Sequence, residues 1–228
     1  MGPTAAEYQL FEERRRRLTA AAAAATLGLA AVSWLVAIHR MSGMDTGVST
    51  ELGSFSFFLT AWVSMMTAMM LPGAVPAVMG RIRATERALA APLFVGLYLA
   101  VWTLVGLAVF ALYRPHGTAI AGALTIAAGL YELTPLKRES RRRCREAAHS
   151  GFEFGIYCVG SSIGLMLILL ALGVMSVGWM AVVAAFVLAQ KLLPPRAAVD
   201  VPLGLAIVAL GVLVVLAPTA VPGLTSSM

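Results

Sequence analysis

Residues 55–79 read FSFFLTAWVSMMTAMMLPGAVPAVM. The run is apolar and longer than the roughly 20 residues a helix needs to cross a hydrocarbon core. The rest of the chain has the same character. Of 228 residues, 60% are hydrophobic and 12% are charged, and mean hydropathy is +0.86. Soluble domains carry about a quarter charged residues. A soluble core of this size could not hide so much apolar surface, so lipid is the expected solvent.

Outward from this run, six more stretches have span-like character, near 18–38, 90–113, 117–136, 154–173, 176–193 and 201–221. The expected fold class is all-α, a polytopic membrane bundle of about seven transmembrane helices. The first stretch reads as a retained helix, because its apolar run is long and no small-residue cleavage pattern follows a short core. The expected organisation is a polar, basic cytoplasmic segment 1–17, one transmembrane domain 18–221 and a short outer tail 222–228. A basic cytoplasmic loop, 137–153, interrupts that domain.

Charge sets the direction. With the N-terminus inside, fifteen of the seventeen Lys and Arg residues fall on the inner side, and only Arg40 and Arg114 fall outside. This satisfies the positive-inside rule and predicts N-terminus in, C-terminus out. The expected partners are the lipid bilayer, with anionic headgroups at the basic loops, and a second copy or another membrane protein. Nucleic acid is not expected, since the arginines lack interleaved aromatics and a binding motif. Cys144 and Cys158 fall on or near the reducing side, where a disulfide is not expected. His39, His116 and His149 are placed in separate loops, which argues against a histidine-built metal centre.

Four methionines, Met65, Met66, Met69 and Met70, fall within six positions of the second span. Residues four apart share a helix face, so Met65 pairs with Met69 and Met66 with Met70. Thioether sulfur is a soft ligand suited to Cu(I). Methionine also fills irregular gaps, and Pro72 and Pro76 are expected to make such gaps by freeing the carbonyls of Ala68 and Pro72. In the fifth span, Cys158, Ser162 and Met166 lie along one stripe. Gly160 and Gly164 form a GxxxG pair that lets a neighbouring helix approach. Glu132 sits near the end of the fourth span, within reach of Lys137 and Arg138. An ionisable group at that depth is a site candidate unless it snorkels to water. Pro135 is read as the end of that helix. Met41, Met44, Asp45, Met175 and Met180 are read as outer-side groups that either collect metal or anchor the interface with Trp179.

The order of WVSMMTAMMLPGAVP, GLYELTPLKRESRRRC, GIYCVGSSIGLM, GVMSVGWM and KLLP resembles a bacterial family described as predicted metal-binding integral membrane proteins. The resemblance covers roughly 55–196 and implies metal binding in a bacterial inner membrane. Relatives carry further cysteines where this chain has Ser140, Ser161 and Ser162. A thiolate cluster would hold a soft ion tightly, and serine is a poor substitute.

The leading reading is therefore a membrane protein that binds or handles a soft ion, Cu(I) foremost. Its ligands would be Met65, Met66, Met69, Met70 and Met166, with Cys158 and Cys144 accepting the ion at the inner side. The second reading is a structural or assembly subunit of a larger membrane complex without its own metal. The third is a proton- or solute-coupled transporter using Glu132. No cofactor motif or nucleophile–base pair points to an enzyme.

Overall fold

The computed structural model describes residues 4–41, 52–147, 149–172, 176–193 and 197–221. These residues form eight α-helices and no strand. They are α1 (Ala5–Met41), α2 (Phe55–Thr85), α3 (Ala90–Leu112), α4 (Thr118–Glu132), α5 (Pro135–Glu146), α6 (Gly151–Leu172), α7 (Val177–Leu192) and α8 (Ala197–Leu216). A 3-10 turn, Pro218–Ala220, follows. The helices α1, α2, α3 and α6 are long and apolar enough to cross a membrane. Helices α4 and α5 meet at a 64° bend and pass the same test only when taken together, as a broken span or a re-entrant loop. Helix α7 and the Asp200–Leu216 part of α8 are apolar but shorter.

Helix α2 is the centre of the bundle. It packs against α1, α3 and α7, and its buried residues lie on every face rather than along one stripe. A helix that is apolar all round belongs in an interior. Ser54 starts it, with extended backbone and a side chain that accepts from the Phe57 N–H at 3.4 Å. Glu86 stops it in the left-handed region, φ 55°, with its N–H on the Ile82 carbonyl. The helix runs unbroken through Pro72 and Pro76. The outside donor reaching this stretch is Lys191, 3.4 Å from the carbonyl of Met70 rather than those of Ala68 or Pro72.

Glycine sets the closest helix approaches. Helices α4 and α8 run antiparallel, with Gly122 against Gly211 and Gly129 against Gly204. A Cβ on either α4 glycine would come within 2.9 Å of the facing carbonyl. Gly160 and Gly164 let α6 lie against the α4–α5 elbow, where Gly160 faces Ser140 and its carbonyl accepts from the Tyr131 hydroxyl at 2.6 Å.

The segment expected as a basic loop is mostly helix. Thr134 is extended and caps α5, accepting from the Lys137 N–H at 3.4 Å, and Pro135 occupies the first turn. Pro135 thus opens a helix, as its fixed φ and missing N–H allow. The exposed side of α5 carries Glu139 bonded to Arg142 and Arg143. Its other side buries Lys137, Arg141 and Cys144, a spacing of four and three that keeps them on one face.

Candidate functional site

The sulfur atoms gather indoors. Met65, Met66, Met69 and Met70 on α2 and Met166 on α6 are each at most 2% exposed. With Cys144, Cys158 and Met180 they belong to one apolar cluster. Helices α3 and α7 each touch both α2 and α6, so the two sulfur-bearing helices share their neighbours. Met180, expected at the outer surface, is fully buried in α7, and Met41 is buried at the end of α1. Met44, Asp45 and Met175 lie outside the described residues. His39 belongs to the last turn of α1 rather than to a loop. Among the described residues, no three His, Cys, Asp or Glu side chains converge as metal ligands.

Two thiols meet at the end of the bundle where α5, the start of α6 and the end of α7 come together. Cys144 and Cys158 are both buried and both free. The Cys158 sulfur lies 3.1 Å from the Tyr98 hydroxyl, and Cys144 and Lys191 are its other polar neighbours. Cys144, 6% exposed, donates toward the Phe154 carbonyl at 3.9 Å. Cys144, Ser161 and Ser162 line a cavity of about 330 Å³, together with Gly73 and Pro76 of α2, Arg141 and Arg145 of α5, Phe154 of α6, and Gln190 and Lys191 of α7. Pro72 is half-buried in α2, one turn before the exposed Pro76 at the cavity.

Beside the cavity runs a buried polar chain. Glu132 is completely buried and pairs with Lys137; Arg138, the other expected partner, is exposed. Gln190 closes the group, donating to Glu132 at 3.0 Å and accepting from Lys137 at 3.1 Å. Arg141 pairs with the buried Asp200 of α8 and donates to the carbonyls of Gln190 and Leu193. Glu132 is therefore not a carboxylate reaching water. The sequence reading missed Asp200, Gln190, Lys191 and Tyr98. Their one visible signal was polarity within or beside apolar runs.

Thioethers and thiols both belong to the buried core, the thiols beside a polar cavity, and sulfur donors suit a soft ion better than a hard one. In a comparison with protein families, the family described as "PpoB2: Copper chaperone" matches residues 59–214. No curated protein and no solved structure matches the chain.

Proposed function

We infer that this protein takes up and hands on Cu(I), from the premise that the chain belongs to the copper chaperone family PpoB2. The observation that carries the reading within the molecule is the burial of the α2 methionines and the Cys144–Cys158 pair in one cluster. Met65, Met66, Met69, Met70 and Met166 serve as thioether ligands along the interior, and Cys158 with Cys144 receives the ion. Thioethers are neutral and thiols become anionic ligands on metal binding, so the thiol end is the tighter one. A weaker series of thioethers leading to it suits transfer better than storage.

The apolar helices support a place in a membrane, and the resemblance to metal-binding integral membrane proteins narrows it to a bacterial inner membrane. The N-terminus is inside, on the charge distribution, so the thiols and the cavity face the cytoplasm. The bilayer is then the main partner. Serine at positions 140, 161 and 162 leaves two thiols at that end, which favours delivery over tight retention.

Copper counting tests the reading. The purified protein in detergent, loaded with Cu(I) under reductant and desalted, is expected to retain copper. A variant with Leu at 65, 66, 69 and 70, and a second with C144S and C158S, are each expected to retain less. Copper retention equal to wild type in both variants would sink the assignment.

A further inference from the structure

The cavity beside the thiols is cationic. Arg141, Arg145 and Lys191 line it, and among the described residues no Asp or Glu does. Arg141 is neutralised by Asp200. Arg145 donates to the Leu193 carbonyl, and Lys191 donates to the Tyr98 hydroxyl at 3.0 Å and to the Met70 carbonyl at 3.4 Å. Those acceptors are neutral, so two positive charges at the cavity have no carboxylate partner among the described residues. A second observation points the same way. Ser162 is 3% exposed and lines the cavity, yet its hydroxyl has no hydrogen-bond partner among the described residues. A donor so placed is open to an acceptor brought in by a ligand. The volume, about 330 Å³, lies at the small end of the roughly 300–1,000 Å³ of ligand pockets. Of the two thiols, Cys144 belongs to the cavity wall and Cys158 does not.

We propose that the cavity docks a small anionic thiol, attracted by Arg145 and Lys191 and bonded by the Ser162 hydroxyl, and that this thiol takes Cu(I) from Cys144. The exchange rests on the copper reading. Two deprotonated thiols around Cu(I) carry one negative charge together. Against two unneutralised cations the loaded cavity therefore stays net positive and still attracts an anion. In the first step a bond forms between the incoming sulfur and copper, and the bond from copper to the Cys144 sulfur breaks. The proton of the incoming thiol passes to the Cys144 sulfur. Copper remains Cu(I), no electron moves and the total charge is unchanged. A second thiol replaces Cys158 in the same way, and the ion leaves as a bis-thiolate anion. An uncharged thiol can do this chemistry but is not gathered by the cavity. A carboxylate without sulfur is gathered but is too hard a ligand to take the ion.

Copper release tests this. The full chain in detergent is loaded with Cu(I) under ascorbate, and the copper left on it is measured after timed exposure to a thiol. Mercaptosuccinate is the anionic probe and 1-thioglycerol the uncharged one. Mercaptosuccinate is expected to strip copper about tenfold faster at equal concentration, the lower end of what a cleft of one charge sign achieves. Its rate should saturate, and succinate should slow it without slowing thioglycerol. These readouts need no variant to fold. R145Q should lose most of the tenfold advantage. R142Q, which removes an exposed charge outside the cavity, should keep it. Equal rates for the two thiols, or an R145Q protein with the full advantage, overturn the inference and leave the copper reading intact. If phosphatidylglycerol added to the micelles slows the exchange and succinate does not, the cavity belongs to a lipid headgroup and the inference fails. A wild-type protein that retains no copper overturns the copper reading and the inference with it.

Discussion

At Gly164 a single methyl group decides whether α6 can lie against α4. A Cβ there would stand 2.7 Å from the Glu132 carboxylate and 3.2 Å from the Ala128 carbonyl. Neither neighbour is the free end of a flexible chain, since Glu132 is fixed by Lys137 and Gln190. Gly164→Ala is expected to destabilise the protein by about 1–3 kcal/mol, the usual cost of overpacking. Gly80→Ala, in the same conformational class but with nothing within 4 Å of the new Cβ, is expected to be neutral or to stabilise by up to about 1 kcal/mol. Thermal unfolding of both variants in one detergent separates them; equal melting temperatures would contradict the packing account. Glu132 carries a second residue-scale expectation. Replacing one member of a buried ion pair costs about 3–5 kcal/mol, because the other charge is left uncompensated. Glu132→Gln should therefore be strongly destabilising, and adding Lys137→Met should recover much of the loss. A double variant no more stable than Glu132→Gln alone would show that the pair is not the source of the cost.

At the scale of elements, the apolar helices were legible and α5 was not. A run such as 55–79 announces itself because every side of α2 is apolar and faces other helices. Helix α5 hides its pattern, since its buried face is made of Lys137, Arg141 and Cys144 rather than leucine or valine. Hydropathy scores such a face as solvent-exposed. The partners that make it burial-competent, Asp200 and Gln190, lie 59 and 53 residues further on from Arg141 and Lys137 respectively. The cap was readable in ELTPLK, a threonine before a proline at a helix start, had it been taken as a beginning rather than an end. The candidate site divides the same way. The methionines and the GxxxG pair were visible as spacing, whereas the contacts among Lys191, Tyr98 and Cys158 join three separate helices and leave no local pattern. The docking of α5 yields its own expectation. Arg141 fastens the helix to α7 and α8, so Arg141→Ala should let it open locally. With a loss of about 3 kcal/mol, the maleimide alkylation rate of Cys144 should rise on the order of 100-fold. An unchanged rate would mean that apolar packing alone keeps α5 down.

At the scale of the whole molecule, two independent patterns coincide at one end. Basic residues gather at the end of α2, in α5 and at the end of α7, the side that the proposed orientation makes the inner one. The cavity and the thiols lie among α2, α5, α6 and α7 at that same end. In that orientation an acceptor protein could collect the ion from the inner side without the ion crossing open hydrocarbon. The arrangement depends on the orientation, and orientation can be measured in intact cells. The variant with both native cysteines replaced by serine serves as background, and a single cysteine is introduced at His149 or at Gly117. Both positions flank helices rather than lie within them, and a Cβ at Gly117 meets nothing within 4 Å. A membrane-impermeant maleimide is expected to label Gly117→Cys in whole cells and to reach His149→Cys only after the membrane is broken. The opposite pattern would put the thiols outside, where an oxidising compartment favours a disulfide over a reduced copper site. The same family chemistry would then have to run as capture from outside.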